Sequence, residues 1–577
     1  MTAGTQPNSP PVSPSLDAQR AVVVSLLLVL CATAYSFHFL SFLHAKEAVL
    51  LLGLCTLSAL AVLDKSSVLS GITAYRPLWA LLAWAATVHL LFGRTQVPAY
   101  SAQELTRLAV LLLVAAQAYP LFKQPPWRAR LCASIIAAAS LVALLGLIQY
   151  WGILTALFPV FPEYDQRIYS VFGNQDLLGG FLAIGLPLAV HRFFNKPRPA
   201  PLIHLALLLL LVALALSGSR TAWLAAFIGV TLVVPYRTID RKKAGLLASG
   251  CVLLVALLCV LAPDSTYRRL ARPFSEGDVG GRARLWFWDS TARMIADAPL
   301  TGHGLGNYPY WSPLYQGEAL HAPGAETHYQ NEIHTLHAHS DPLELAAEAG
   351  LPAFFFIFWM FWRIRKGRGP EWGGLAAFGT FALFNATYQS APHALCALLL
   401  AGSLLADASP QVPEPPRRRY PAMALAAAAL LVTGFTIFAV LIPSYRMGSV
   451  ADAYREGRPI DNLFEELTEY PWPNPQANQE WATYLEAAGR YPEAERHALA
   501  AKEGLDTGNI YLLLGALAEQ KGDEEAAKHA YEACLLRWPR NTRAWSRLVP
   551  LLSPDERANK LTEAARWLPP QDLASLR

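Results

Sequence analysis

The sequence predicts an all-α, polytopic helical membrane protein: a bundle of about 12–13 transmembrane helices, one large outer loop, and a C-terminal helical-repeat domain. Three observations carry this reading. Of 577 residues, 54% are hydrophobic and only 16% charged, too apolar a balance for an ordinary soluble protein. Apolar runs close to the ~20 residues that a spanning helix requires recur from residue 21 to residue 443. Residues 450–577 are instead charged, alanine-rich and helical in pattern.

Taken in order, residues 1–20 are polar and rich in Pro and Ser, which predicts a disordered cytoplasmic tail. The apolar run that starts at Ala21 is too long for a cleaved signal peptide and reads as an uncleaved anchor. Spans are expected at 21–43, 47–63, 77–93, 105–122, 131–151, 176–192, 201–217, 221–236, 244–262, 351–363, 372–389, 393–407 and 420–443. The run from Gly373 to Ala406 is split near Ser390-Ala391-Pro392, because one helix of that length would overshoot a bilayer. Together residues 21–445 form the expected transmembrane domain, with residues 263–350 as its large loop.

Basic residues set the orientation. With a cytoplasmic N-terminus, the inner connections are Lys123–Arg130, Arg192–Arg198, Arg237–Lys243, Arg363–Arg368 and Arg417–Arg419. The other side carries only isolated cations: Lys46, Arg94, Arg167 and Arg220. This places the large loop and residues 450–577 outside the inner (cytoplasmic) membrane, in a periplasm where there is one. A net charge of +4 over this length argues against a nucleic-acid binder. Of the seven cysteines, only Cys534 lies outside the apolar segments, and no CxxC or zinc spacing appears.

An internal repeat marks the C-terminal region. Tyr484, Leu485, Gly489, Ala494, Ala498 and Ala501 recur about 33 positions later as Leu517, Gly522, Ala527, Tyr531 and Cys534. Small residues where paired helices cross, with Pro539 closing the second unit, resemble tetratricopeptide repeats over 476–508 and 509–542. A generic alanine-rich bundle is the alternative. Either is a binding or scaffolding module, and neither carries a catalytic pattern.

The large loop holds the chemistry. His334, His337 and His339 stand within six positions, just before a predicted span. Imidazole titrates near neutrality and suits proton transfer. Arg167 and Arg220 border spans on the same side; a guanidinium there is costly unless paired or wetted, and its planar donors match phosphate oxygens. Arg94 and Lys46 read as interfacial residues. Arginines plus histidine suit transfer of a group from a lipid-borne phosphate or pyrophosphate to a hydroxyl.

Four motifs in this order resemble the O-antigen ligase and polymerase superfamily of membrane glycosyltransferases, over about residues 130–410. Arg167-Ile-Tyr-Ser-Val-Phe-Gly173-Asn174-Gln175-Asp176 is similar to R-x-x-G-x-F-G-N-P-N, and Ser217-Gly218-Ser219-Arg220-Thr221-Ala222-Trp223 to S-R-G-A-W. Gly281-Arg282-Ala283-Arg284-Leu285-Trp286 followed by Pro299-Leu300-Thr301-Gly302-His303-Gly304-Leu305-Gly306-Asn307-Tyr308 is similar to G-R-x-x-x-W and P-L-x-G-x-G-x-G-N-F. His337-Ala338-His339-Ser340-Asp341 with Glu348-Ala349-Gly350-Leu351 is similar to H-x-H-N-D-Y-L and E-x-G-L. Asp176, Ser340 and Pro342 depart from the pattern, where Asn, Asn and an aromatic are usual.

The resemblance implies transfer of a glycan from undecaprenyl pyrophosphate to a lipid, glycan or protein acceptor, without a metal or nucleotide sugar. It implies that Arg220 and Arg282, joined by Arg167, hold the donor, and that His337 or His339 activates the acceptor hydroxyl with inversion at the anomeric carbon. His303 and Asn307 belong to the same implied substrate site. Between Arg282 and its neighbour Arg284, the resemblance favours Arg282. The repeat region is the expected contact for a protein partner.

Other readings stay open on the residues alone. The three histidines with Asp341 and Glu344 could form a metal shell. Glu348 either orients a histidine or caps a helix. Gly302, Gly304 and Gly306 permit a tight turn rather than a nucleotide loop, since no strand–helix unit surrounds them. His303 either lines a cleft or packs, while His321 and His328 read as solvated loop residues. An anion transporter and a non-catalytic scaffold are the competing functions.

Overall fold

The computed structural model describes residues 16–36, 38–39, 41–64, 69–92, 95–153, 167–195, 200–234, 242, 245, 249, 279–325, 329, 335–409 and 419–576. Among these, helices are the only regular secondary structure. The apolar part comprises α1 (Leu16–Thr33), α2 (Phe42–Asp64), α3 (Leu69–Ala74), α4 (Arg76–Phe92), α5 (Pro98–Phe122), α6 (Pro125–Tyr150), α7 (Gln175–Phe194), α8 (Pro201–Ser217) and α9 (Arg220–Val233). The polar loop supplies α10 (Val279–Asp297), α11 (Tyr308–His321) and α12 (Asp341–Ala349). Apolar helices resume with α13 (Ala353–Ile364), α14 (Glu371–Ala382), α15 (Ala391–Ala408) and α16 (Arg419–Thr436).

Among the described residues, seven helices are long and apolar enough to cross a bilayer, and α8, α9 and α13 are shorter apolar helices. At ~1.5 Å per residue, the 14 residues of α9 reach about 21 Å, short of the ~30 Å apolar layer. The expected span at 244–262 and Arg94, His328 and His334 lie wholly or almost wholly outside the described residues. The expected tail is also shorter than residues 1–20: α1 starts at Leu16, and Arg20 is buried, donating to Leu60 O at 3.2 Å.

The core is dry and closely packed. Leu178, Phe181, Leu182 and Ile184 of α7 are fully buried against α9 and α14. Close approach needs small residues: a Cβ on Gly229 of α9 would lie 2.6 Å from Gly373 O of α14. Leu52, Leu90, Leu202, Phe227, Phe358 and Leu431 stand exposed on outer faces, as side chains bathed by lipid do. Lys46, expected as an interfacial residue, is fully buried. Its Nζ donates to Ala32 O at 3.0 Å and Ala34 O at 2.7 Å, closing the C-terminal end of α1.

Helix α16 does not stop at the expected boundary near residue 445. It passes through a π-helical turn, Ile437–Leu441, directly into α17 (Ile442–Arg455). Then follow α18 (Asp461–Thr468), α19 (Pro475–Ala487), α20 (Tyr491–Lys502), α21 (Gly508–Lys521), α22 (Glu524–Arg537), α23 (Thr542–Leu548), α24 (Pro554–Ala564) and α25 (Pro570–Leu576). Helices α19 and α20 pair, as do α21 and α22. Ala494, Ala498 and Ala501 are fully buried, and Gly515 lets the Tyr531 ring lie on α21. Small residues at the crossings are what these pairs require.

This helical array lies on the polar loop. Gly317 of α11 meets Leu536 O, and Trp567 packs with Trp286, Ala319 and Leu320. Arg540 donates to Tyr329 O at 2.9 Å, and Tyr100 to Gly504 O at 3.2 Å. The loop is thus held between the apolar bundle and the C-terminal helices.

Candidate active site

The histidine segment is built from its C-terminal side. Pro342 sits in the first turn of α12, where a missing N–H costs nothing, so this departure from the motif suits the local geometry. Asp341 accepts from Thr387 N at 2.8 Å and Tyr388 N at 3.1 Å, and also from the Thr387 hydroxyl. It thereby ties the segment after α14 to the histidines. Burial pushes the Asp341 carboxyl up to about 7, against the pull of these donors.

Glu344 is the keystone that the sequence offered only as a metal ligand. Its side chain is 1% exposed. Oε1 faces His337 Nδ1 at 2.9 Å and accepts from Tyr388 Oη at 3.3 Å and Gln389 Nε2 at 3.4 Å, while Oε2 accepts from Ala338 N at 2.8 Å. Burial alone would raise this carboxyl; the His337 charge and hydrogen bond, with the other donors, hold it below its ordinary value. Burial alone would lower His337, but the Glu344 carboxylate outweighs it and lifts the imidazole above its ordinary 6.5. A carboxylate on Nδ1 fixes the tautomer that leaves Nε2 to take a proton. The His337 side chain keeps 35% of its surface accessible, so a substrate can reach it.

His339 is placed differently. It adopts a left-handed backbone conformation, φ 50°, which is rare outside glycine and gathers at functional sites. Its ring stacks on Phe287 of α10, with centroids 5.5 Å apart. Burial, followed by the charges of Arg284 and His337, pulls its imidazole down to about 4. It is neutral at physiological pH and a weaker base than His337.

Beside His339 lies a cationic cluster. Arg284 of α10 donates to Phe384 O at 3.2 Å and Asn385 Oδ1 at 3.3 Å, and pairs with Asp176 at 3.4 Å. Asp176, in the first turn of α7, also accepts from Ser219 Oγ at 2.6 Å. Asn385 donates to Thr221 Oγ1 at 3.0 Å. Arg220, the first residue of α9, is therefore flanked by two anchored neighbours, at a helix end whose free N–H groups favour anions. Arg167 lays its stem along Gly218, where a Cβ would come within 2.7 Å of Cδ. With the Gln175 amide turned so that its oxygen faces the guanidinium, Arg167 donates at 2.9 and 3.1 Å.

The structure thus brings His337, His339, Arg167 and Arg220 into one neighbourhood, and adds Arg284, Asp176 and Glu344. Arg282 stands two positions before Arg284 on α10, about 200° of helical rotation away. The contacts to Asp176, Phe384 O and Asn385 are made by Arg284, which the sequence reading had set second to Arg282.

His303 and Asn307 are structural. His303 is buried, with Nε2 3.0 Å from Met294 O and its ring against Trp311 and Tyr315. Asn307 is fully buried; it accepts from Val97 N at 2.8 Å and donates to Ser101 Oγ at 2.9 Å, pinning α11 to α5. Asn307→Ala is expected to lose about 1–3 kcal/mol of stability from the stranded Val97 N–H. Thermal unfolding in detergent checks this, while donor affinity of the folded fraction stays unchanged.

Gly302, Gly304 and Gly306 all have positive φ, and wind the chain around the end of α12 through His303 N to Ala347 O and Gly304 N to Glu348 O, both 2.9 Å. Glu348 takes the capping role: Oε1 accepts from Tyr308 N at 2.9 Å, at the start of α11. His393 is a further buried histidine, bound to Ser390 Oγ and Leu177 O among Phe172, Phe181 and Phe381. Among the described residues, no three His, Cys, Asp or Glu groups converge as a metal site.

An all-α bundle with several helices long and apolar enough to cross a membrane thus carries a carboxylate-held histidine near half-buried arginines. Residues 205–358, which include Arg220, Arg284 and the histidine segment, match the O-antigen ligase family. The chain is also similar to a general O-oligosaccharyltransferase of Acinetobacter baylyi (strain ATCC 33305 / BD413 / ADP1), 26% identical over 185 residues. That match covers 30% of this chain and 32% of the relative, about a third of its length.

Proposed function

We propose that this protein transfers a glycan from an undecaprenyl-pyrophosphate carrier to an acceptor hydroxyl at the outer face of the cytoplasmic membrane. The observation that carries the reading is the His337–Glu344 dyad, 2.9 Å apart, beside the Arg167, Arg220 and Arg284 cluster. In the proposed step the acceptor O–H gives its proton to His337 Nε2, and its oxygen bonds to the anomeric carbon. The bond from that carbon to the phosphate oxygen breaks, and the lipid pyrophosphate leaves. Glu344 stabilises the imidazolium, as a carboxylate does in hydrolase triads. The arginines stabilise charge on the leaving group. A direct displacement of this kind inverts the anomeric centre and calls on no metal.

The similarity to an O-oligosaccharyltransferase favours a protein acceptor as a second reading. The paired C-terminal helices, read as tetratricopeptide-like, would then present that protein partner to the site. Deletion of the gene separates the outcomes. Long glycans stranded on the carrier are expected for a lost ligase, single capped units for a lost polymerase, and unglycosylated protein for a lost protein transferase. Unaltered lipid-linked and surface glycans would overturn the proposal.

A further inference from the structure

Gln389, which donates to Glu344, is also a wall of a separate cavity of about 170 Å³. Its other polar walls are His44 and Glu47 of α2, Gln103, Glu104 and Arg107 of α5, and Thr436 of α16. None of Arg167, Arg220 and Arg284 lines it. The volume is room for about five or six waters, on the scale of one sugar ring.

Its chemistry differs from that of the cationic cluster. Arg107 is already held by Glu104 at 2.7 Å and lies over the Tyr388 ring. Glu47 is 9% exposed, and its Oε2 is buried with no hydrogen-bond partner among the described residues. A buried acceptor without a donor is costly, and native structures rarely leave one so. The set of two carboxylates, one paired guanidinium and two amides repels a phosphate but accepts hydroxyl protons. The π-helical turn at Ile437–Leu441 adjoins it: Val440 of the turn lines the cavity, and Gln103, another wall, donates to Ala439 O at 2.8 Å. Such turns inside long helices often mark functional sites.

We propose that this cavity between α2, α5 and α16 binds one hydroxyl-bearing sugar unit of the acceptor, with Glu47 accepting from a ring hydroxyl. The dyad then stands between two subsites, a cationic one for the departing diphosphate and an acidic, amide-lined one for the incoming sugar. This rests on the glycan-transfer reading above.

The test uses full-length protein in lipid nanodiscs. Saturation-transfer difference NMR is recorded with free glucose, galactose and N-acetylglucosamine, and binding of inorganic pyrophosphate is measured in parallel. At least one sugar is expected to bind, weakened about fivefold or more by Glu47→Leu and by the cavity-filling Val440→Trp, the scale of one lost hydrogen bond. Arg220→Ala is expected to weaken pyrophosphate and spare the sugar. In transfer assays with extracted lipid-linked donor and acceptor fractions, the near-isosteric Glu47→Gln raises the half-saturating acceptor concentration about fivefold and leaves that of the donor unchanged. No sugar signal in the wild type, equal signals in both cavity variants, or a shift confined to the donor would overturn the proposal. A wild type that binds sugar through Glu47 but transfers no glycan would instead sink the transfer reading.

Discussion

His337→Ala is expected to lower glycan transfer about a thousandfold, within the 10²–10⁴ range that a positioned acid–base group supplies. The basis is geometric: among the described residues, only this imidazole combines a buried carboxylate on Nδ1 with an accessible surface. Glu344→Gln is expected to cost about a hundredfold, because an amide can present N–H to Nδ1 and favour the wrong tautomer. The pH profile gives an independent reading. His337 acts as a base only when neutral, so the rate rises as pH climbs through its folded value, which Glu344 lifts above the ordinary 6.5. Removing the Glu344 charge leaves burial dominant, so Glu344→Gln is expected to move the inflection downward. Stability has the opposite sense: the pairing contributes fully below about 6.5 and fades as pH rises through the folded value. Initial rates of purified variants between pH 5 and 9 measure both (a window about the histidine range). An unchanged inflection in Glu344→Gln would remove the dyad from the mechanism.

The second large effect separates two neighbouring arginines. Arg284→Ala is expected to reduce transfer about a hundredfold or more, the scale of losing one preorganised charge. Arg282→Ala is expected to cost less, since the pairing with Asp176 and Asn385 is made by Arg284. Arg284 donates to Phe384 O, Asn385, Asp176 and, within its own helix, Gly280 O. A lysine offers one point charge in place of this fork, so Arg284→Lys restores little. Side-by-side rates and donor half-saturation for the three variants decide the matter. Equal losses in Arg282→Ala and Arg284→Ala would show that the helix as a whole, rather than one guanidinium, is required.

The helices were largely legible because their signal is local. A helix of apolar residues satisfies its own backbone, which is what a bilayer demands, so the runs are visible one at a time. Their lengths were less so. Apolar runs at 201–217, 221–236 and 351–363 fold as the shorter helices α8, α9 and α13, and the boundary set near residue 445 falls where one helix continues to Arg455. Lys46 shows the same limit. A lysine beside an apolar run reads as interfacial, and nothing local reveals that the α1 carbonyls will meet it.

The candidate site divides along the same line. Residue types alone pointed to His337, His339, Arg167 and Arg220, because imidazole and guanidinium at the rim of apolar runs are costly unless used. The roles of Glu344, Asp176 and Arg284 were set by tertiary contacts. Glu344 lies seven positions from His337, and only the turn into α12 brings its carboxylate to Nδ1. Helical spacing could have separated Arg284 from Arg282, but not shown which face of α10 meets α7. His303 and Asn307 looked like ligands because polar residues in a glycine-rich motif invite that reading; they are buried pins instead.

By itself, then, the sequence determined an all-helical membrane chain, the loop that bears its histidines, and the residue types that suit proton transfer and an anion. These follow from hydrophobicity, charge and chain-local periodicity. Only the folded structure decided which carboxylate meets which imidazole, that Arg284 pairs with Asp176, and that the C-terminal helices lie on the loop. Those are pairings between residues distant in the chain, fixed by packing and by the cost of leaving buried polar groups unpaired.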